Sequence, residues 1–352
     1  MVNPFKPQFV AGAFFLASTA MAQAGAIAAN PKPVTLSSGM GDILVSGQVS
    51  GLAYVQSNAS HALPGDATTN LDLANALITV QKNTGFLQFY VQAGLYSFPT
   101  VGQPYEKASS QNSLFGPVPV AYAKLQLNDA LSIEAGKLPT LVGAELAFTP
   151  QNINIERGLL WWQEPITSRG VQLNYASGPL SVSLSWNDGY YSNVLNSFSG
   201  LVSYAIDGAN TIAVDASVTP DSRASLGHQI YDIMYTYNSG KWTFGPYVQY
   251  ERYARSSGSE WGLGALASYQ LSSEWSLNGR AEYEAADHGM ALSYGPNSKA
   301  WSLTLTPSWQ RGIVFARAEL SYVGLAHQTA GFGPGLGQAN QVRALLETGI
   351  VF

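Results

Sequence analysis

The ionisable residues of this sequence are sparse, and many of them recur at every second position within apolar stretches. The chain has 352 residues, with 17 Lys and Arg against 22 Asp and Glu. Successive side chains of a β-strand point to opposite faces, so charges spaced by two lie on one face. Such a face can attract or conduct ions, or its charges can stabilise the sheet through cross-strand ion pairs. Four basic and eight acidic residues share this placement: Lys124, Arg280, Arg317, Arg343, Glu134, Asp215, Asp232, Glu251, Glu282, Glu284, Glu319 and Glu347.

Catalytic and metal-binding patterns are weak by comparison. The histidines His61, His228, His288 and His327 stand singly, without the spacing of a zinc site, and the chain has no cysteine. No serine and histidine are marked as a nucleophile and base. The slight acidic excess argues against nucleic acid as a partner. We therefore expect no enzyme activity, no metal and no cofactor.

The elements that must position these charges are β-strands. Apolar and polar residues alternate over stretches of about ten residues. The connections between these stretches alternate between tight turns and longer polar loops. The pattern predicts sixteen strands, with fourteen or eighteen as alternatives. Their predicted ranges are 43–56, 73–82, 86–97, 118–128, 130–137, 169–177, 179–187, 198–206, 210–218, 229–238, 241–252, 260–271, 275–285, 300–310, 312–323 and 341–352.

Two kinds of all-β architecture fit this pattern of strands and turns. One is a secreted sandwich or propeller, and the other is a transmembrane barrel. In a barrel the apolar phase faces lipid, and aromatic residues gather at both membrane interfaces. Six tryptophans lie in the apolar phase near strand ends, and the bodies of the strands carry charge in the polar phase alone. These features favour an antiparallel up-and-down transmembrane barrel. The six are Trp186, Trp242, Trp261, Trp275, Trp301 and Trp309.

The two ends of the chain agree with this interpretation. Residues 1–22 have the layout of a secretory signal, with a lysine, a short apolar run and small residues before a cut after Ala22, with Ala26 as the second choice. Residues 23–40 are then an N-terminal periplasmic segment, and residues 41–352 form the barrel. The last strand, RALLETGIVF, would pair with the strand near 43–56 and close the wall. Pro246 and Pro307 fall inside strands, where we expect a bulge or a local distortion.

One long loop is too apolar to be solvated. It spans Lys137 to Gly170 and contains Trp161 and Trp162, which lie outside the two aromatic belts. Such a segment is expected to fold into the lumen and to have a function.

The same stretch carries a family resemblance. GKLPTLVGAE, NINIERG and EPITSRGVQLNY resemble a sequence block of the OmpL-like family of outer-membrane β-barrel porins. The block covers about a tenth of the chain, and it departs from the family pattern at Glu156, Gly158, Ser168 and Arg169. The resemblance implies a pore in the bacterial outer membrane and implies no substrate. The matching positions are Gly136, Lys137, Thr140, Gly143, Glu145, Asn152, Asn154, Arg157, Pro165, Gly170 and Val171.

We therefore expect a porin that forms a water-filled channel for passive diffusion of small hydrophilic solutes or ions. The alternative is an anchoring or adhesion barrel with a plugged lumen, which acts through its extracellular loops. Within the long loop, Glu145, Glu156, Arg157 and Glu164 would either form a constriction of opposed charges or fix the loop in place, and the sequence does not separate these.

The acidic excess on the polar face has two interpretations as well. The acidic residues would favour cations in a channel. Alternatively, many of them would form cross-strand ion pairs that stabilise the wall, such as Arg280 with Glu319 and Arg317 with Glu282.

The expected partners are outer-membrane lipid, the solutes, the assembly machinery through the terminal Phe352, and further copies of the chain. Small outward residues at Gly47, Gly51 and Ala53 suit a homotrimer interface.

Overall fold

The strands close into a single barrel. The computed structural model describes residues 27, 33–61, 63–220, 227–254, 258–289 and 291–352. The predicted signal sequence, residues 1–22, lies outside the described residues. Sixteen antiparallel strands each pair with their neighbours in sequence, and the last of them pairs with the first. The fold is therefore the predicted sixteen-stranded antiparallel barrel.

The strand bounds follow the predicted ranges to within four residues at every end. The barrel strands are β2 (Gly41–Gln56), β3 (Thr69–Lys82), β4 (Leu87–Tyr96), β5 (Val120–Gln126), β6 (Leu131–Pro139), β7 (Thr167–Ser177), β8 (Leu180–Asn187), β9 (Ser197–Ala205), β10 (Asn210–Val218), β11 (His228–Ser239), β12 (Trp242–Tyr253), β13 (Ser259–Gln270), β14 (Trp275–Asp287), β17 (Lys299–Arg311), β18 (Val314–Ala326) and β19 (Asn340–Val351).

Four smaller strands and helices were not predicted. Strand β1 (Val34–Ser38) forms a hairpin with the first residues of β2. Strands β15 (Ala291–Leu292) and β16 (Gly295–Pro296) form a small hairpin in the loop after β14, and helix α1 (Ala108–Phe115) lies in the loop after β4.

The seam of the barrel is the pairing of its last strand with its first long one. Strand β19 pairs with β2 from Arg343 opposite Gln56 to Val351 opposite Gln48. Phe352 continues the ladder, because its backbone N–H and C=O both bond to Gly47 at 2.9 and 2.8 Å. A Cβ at Gly47 would lie 2.5 Å from the Phe352 ring, so the glycine makes room for that ring. The predicted closure by RALLETGIVF is confirmed.

The outer surface is apolar in the middle and aromatic at both edges. Trp242 contacts Tyr269 near the turn-side ends of their strands, and Trp261 contacts Tyr283 near the loop-side ends. Trp301 contacts Tyr322 at that same loop side. These contacts belong to two belts, as expected where a barrel wall meets the two lipid interfaces.

The two prolines distort the wall without shifting its register. The ladder between β11 and β12 is interrupted opposite Pro246, and that between β17 and β18 is interrupted beside Pro307. On the other side of each proline the ladder is continuous. The register shift of the β2–β3 pair lies between Ser50 and Gly51 instead.

A charge placed on the outer face at mid-height tests the membrane setting. Leu320 lies at the centre of β18, points outward and is 55% exposed. We expect Leu320→Arg to lower the free energy of unfolding in lipid vesicles by about 2 to 4 kcal/mol, the range measured for Arg at the bilayer midplane. Val314→Arg, on the same face near the turn-side end, should cost about 1 kcal/mol or less. Urea titration of the refolded chain measures both, and equal costs would contradict a lipid-facing surface.

Candidate functional site in the barrel lumen

The centre of the lumen is occupied by one segment of the chain. Residues 140–166, here called the plug, connect β6 to β7 and fold inward. The plug contains two short 3-10 turns, Thr149–Gln151 and Leu160–Gln163. Several of its side chains are fully buried, including Asn154, Ile155, Glu156 and Arg157. The predicted inward-folding loop is therefore present, and most of its residues are buried, whereas Trp162 is 42% exposed.

Apolar contacts fix the plug to many strands of the wall. Ile153 and Leu160 pack against β9 to β13, and Phe148 and Trp161 pack against β3, β4 and β5. Ile155 packs against β2, β3 and β19. Trp161, which the sequence placed in the lumen, is 1% exposed. Burial on this scale is a large stabilising contribution.

Arg317 and Glu347 form the firmest polar anchor. They lie directly opposite one another on β18 and β19, and their side chains form a buried ion pair. The Arg317 guanidinium also donates to the carbonyls of Thr149 and Asn152, both at 2.9 Å. The Glu347 carboxylate accepts from the Thr149 hydroxyl at 2.7 Å. One ion pair of the wall thus holds the first 3-10 turn of the plug through three hydrogen bonds.

Two further wall carboxylates accept backbone N–H groups of the plug. Glu319 accepts from Ile155 at 2.5 Å and from Glu156 at 2.9 Å. Glu282 accepts from Leu159 at 2.9 Å. A Cβ at Gly158 would lie 2.0 Å from the Glu282 carboxylate, so a larger residue there would push the plug away from the wall.

Arg280 and Arg343 bind the acidic residues of the plug. Arg280 donates to Glu145 at 2.8 Å and to the Glu156 carbonyl at 2.6 Å. Arg343 forms an ion pair with the Glu156 carboxylate. Charge-assisted bonds of this kind are stronger than neutral ones. Glu145 and Glu156 therefore join the plug to the wall in this structure.

The ion pairs suggested from the sequence were wrong in their partners. Arg280 pairs with Glu145 and Glu282 instead of Glu319, and Arg317 pairs with Glu347 instead of Glu282. The reason is topological, because β17 lies between β14 and β18 and separates the residues that were matched.

Arg157 ties the plug to a second inward segment, the start of the loop after β4. Its backbone N–H donates to the Pro99 carbonyl at 2.9 Å, and its carbonyl accepts from Val101 at 3.0 Å. Its guanidinium donates to the Ser97 carbonyl and lies 5.5 Å from the Trp161 ring centre. Burial lowers the pKa of this guanidinium to about 10, which leaves it charged at neutral pH.

Glu164 lies at the other end of the plug, close to Asp232 and Asp215. Asp215 and Asp232 are directly opposite each other on β10 and β11, and both are buried. Burial, together with Asp232 and other nearby carboxylates, raises the pKa of Glu164 well above its ordinary value. A Cβ at Gly143 would overlap the Glu164 carboxylate, at 1.8 Å. The glycine of the family block thus makes room for this carboxylate.

The remaining predicted wall charges lie nearer the two openings. Lys124 and Glu134 face each other across β5 and β6, 3.6 Å apart. Glu251 pairs with His228, and Glu284 accepts from Gln163 at 3.0 Å. All twelve wall charges predicted from alternation face the lumen side, where they are buried. That these charges control the passage of ions stays a prediction.

Several residues of the lumen were not predicted from the sequence. Glu260 falls at the very start of its predicted strand and was not assigned to a face. Gln163 and Tyr190 lie in loops, where alternation gives no information. Together with Glu251 and Glu284 they line a cavity at the loop-side opening.

The open space of the lumen is divided between its two ends. A cavity of about 540 Å³ at the turn side is lined by Lys82, Tyr122, Lys124 and Glu134 among others. A cavity of about 310 Å³ lies at the loop side. These two cavities share no lining residue, and the plug lies between them.

An N-terminal residue reaches the underside of the plug. The backbone N–H of Ile27 donates to the Pro150 carbonyl at 3.0 Å, and its side chain packs against Phe315 and Val351. Strand β1 then pairs with β2 from Val34 opposite Val45 to Ser38 opposite Gly41. Part of the segment predicted to be periplasmic therefore extends the sheet beyond Phe352.

Comparison with known families decides the class of this barrel. A sequence profile of the family described as "Putative beta-barrel porin-2, OmpL-like" matches residues 42–352. The chain belongs to this family. The resemblance noted in the block around the plug thus extends over nearly the whole barrel of this OmpL-like porin. No curated protein sequence matches the chain.

Solved barrels share the fold of this OmpL-like porin. OmpT of Vibrio cholerae superposes with a TM-score of 0.62 at 10% identity, over 90% of this chain and 99% of that one. An anion-selective porin from Comamonas acidovorans gives 0.59 at 13% identity, over 88% and 99%. OmpF of Salmonella typhi, in complex with daunomycin, gives 0.58 at 12% identity, over 88% and 98%. At such low identity the likeness shows the fold alone.

The family and the fold place this OmpL-like porin in the bacterial outer membrane. Among the described residues, no helix is long and apolar enough to cross a membrane.

Proposed function

We propose that this protein is a porin of narrow bore, through which ions and small hydrophilic solutes diffuse passively. Membership of a porin family and a wall of sixteen strands support the proposal, since barrels of 16 to 18 strands leave room for an aqueous channel. The observation that carries it is the plug, which narrows a polar lumen between two cavities without belonging to the wall. The narrowing restricts what passes to small species.

A preference for cations is part of the proposal. Seven of the twelve predicted wall charges lie in ion pairs that contain a lysine or an arginine. The other five, Asp215, Asp232, Glu251, Glu284 and Glu319, are all acidic. A surplus of carboxylates along a narrow path favours cations over anions.

The test is the single-channel conductance of the refolded mature chain in a planar bilayer, with a salt gradient across it. We expect small, stable open steps and a reversal potential of the sign that cation preference gives. A potential of the opposite sign would contradict the cation preference alone.

The second candidate function is an anchoring barrel that acts through its extracellular loops. The complete burial of Ile155, Glu156 and Arg157 in the plug favours it. A heat-modifiable, β-rich protein that inserts into the bilayer but stays electrically silent would replace the porin proposal with this one.

Three partners remain proposals of the same kind. The outer-membrane assembly machinery would recognise the terminal Phe352. Outer-membrane lipid would cover the apolar face, and three copies of the chain would form a homotrimer. A trimer form of OmpT of Vibrio cholerae is among the structures that share the fold. Of the small residues suggested for a trimer contact, Gly47 already packs against Phe352 of its own chain.

A further inference from the structure

The cavity at the loop-side opening is acidic on one wall and aromatic on the other. It has a volume of about 310 Å³, within the lower range of small-molecule sites. Glu251, Glu260 and Glu284 line it from the adjacent strands β12, β13 and β14, and each is 3% exposed or less. Glu251 and Glu260 are direct cross-strand neighbours. The lining contains no lysine or arginine among the described residues.

These three carboxylates have few hydrogen-bond donors. The side-chain amide of Gln163 donates to both Glu260 and Glu284, the latter at 3.0 Å. His228 contacts one oxygen of Glu251, and the other oxygen, Oε2, is buried without a hydrogen-bond partner. A buried carboxylate oxygen without a donor is costly, and such groups are normally satisfied. One amide and one imidazole are fewer donors than three carboxylates can accept, so a cationic donor would satisfy the remaining oxygens.

The remaining lining indicates which kind of cation fits. Trp162, Tyr190 and Tyr253 border the same cavity. An ammonium group is attracted to an aromatic face, and this attraction strengthens away from water. Within the described residues, no three or more Asp, Glu, His or Cys side chains are grouped to hold a metal ion. The carboxylates come from three adjacent strands, which suits a ligand longer than a single ion.

We propose that this cavity is a binding site for a small organic ammonium cation, with a diamine as the best-matched class. One ammonium group donates to Glu260 and Glu284, and the other donates to the free oxygen of Glu251. The alkyl chain and the second charge lie against the aromatic rings. The cavity lies above the plug on the loop side, so binding does not depend on whether the lumen conducts.

The test is isothermal titration calorimetry of the refolded mature chain in detergent micelles, with putrescine as the probe. We expect saturable binding, weakened about tenfold or more in the Glu260→Gln/Glu284→Gln double variant, which corresponds to about 1.4 kcal/mol of lost binding free energy. Trp162→Leu should weaken binding several-fold by removing an aromatic face while leaving the carboxylates in place. Heat modifiability on a gel confirms that each variant has folded.

A matched control separates a site from general attraction. Glu106 is exposed in a loop on the same side of the membrane and does not line the cavity. Glu106→Gln changes the net charge by the same step as each cavity substitution, and it should leave putrescine binding within twofold of the parent chain. Equal weakening by Glu106→Gln, an unaffected double variant, or no binding by the parent chain would each overturn the proposal. Stronger binding of MgCl₂ than of putrescine, lost in the double variant, would overturn it in favour of an inorganic cation.

Discussion

Replacing the plug by a short Gly-Ser turn is expected to raise the single-channel conductance about tenfold or more, because a sixteen-stranded wall without an inward segment encloses an aqueous channel. The structure permits the excision, since Pro139 at the end of β6 pairs with Thr167 at the start of β7. A turn between these two residues leaves the wall intact. The side chains of Arg280, Arg317 and Arg343 would then face water together with the carboxylates that hold the plug.

The control keeps the plug and shortens another connection. Replacing residues 288–298, between β14 and β17, by the same turn should change the conductance less than twofold. Planar-bilayer recordings of both variants and of the parent chain provide the comparison. A conductance that the excision leaves unchanged would show that the plug is not the barrier to ions.

Arg317→Met is expected to lower the free energy of unfolding by about 3 to 5 kcal/mol, the range observed when one partner of a buried ion pair is removed. The substitution leaves the Glu347 carboxylate buried without its counter-ion. It also removes the donors to the carbonyls of Thr149 and Asn152. Because these bonds hold the plug, we expect noisier and larger conductance steps as well. Urea titration in lipid vesicles measures the first effect, and bilayer recording measures the second.

Arg311→Met is the matched control for this loss. Arg311 is largely exposed at a turn and lies 3.5 Å from Glu274, so its removal should cost about 1 kcal/mol or less. The double variant Arg317→Met/Glu347→Gln also removes the unpaired carboxylate of Glu347. It should recover part of the stability that the single variant loses. An equal cost for Arg311→Met and Arg317→Met would contradict the anchoring role of the buried pair.

Much of the wall could be predicted from the sequence because alternation is a local signal. The phase of Arg343 and Glu347, for example, follows from residues within a few positions, and the end of the chain within that pattern predicted the seam. Strand β1 was missed because Val34–Ser38 is short and exposed on every residue. Its position next to β2 depends on the edge that β19 leaves free beyond Phe352.

The contacts of the plug could not be predicted, because they join residues that are distant in sequence. Trp161 and the low polarity of the loop indicated that it folds inward. Its docking depends on which of sixteen strands it faces, which alternation does not specify. Arg280 illustrates the limit, since its lumen-side position was predicted and its partner Glu145, 135 residues away, was not.

The anchors of the plug also have a consequence for the order of assembly. The plug precedes β7 in the chain, but Arg280, Arg317, Arg343 and the carboxylates beside them come from β14, β18 and β19, the last quarter of the sequence. Neighbouring strands pair early at low cost, whereas β19 must close a loop of nearly the whole chain to reach β2. The polar anchors of the plug cannot form before these late strands arrive, whereas its apolar contacts with β3, β4 and β5 involve strands that are made earlier. Sealing of the wall and completion of the polar anchors that fix the plug therefore become one cooperative event.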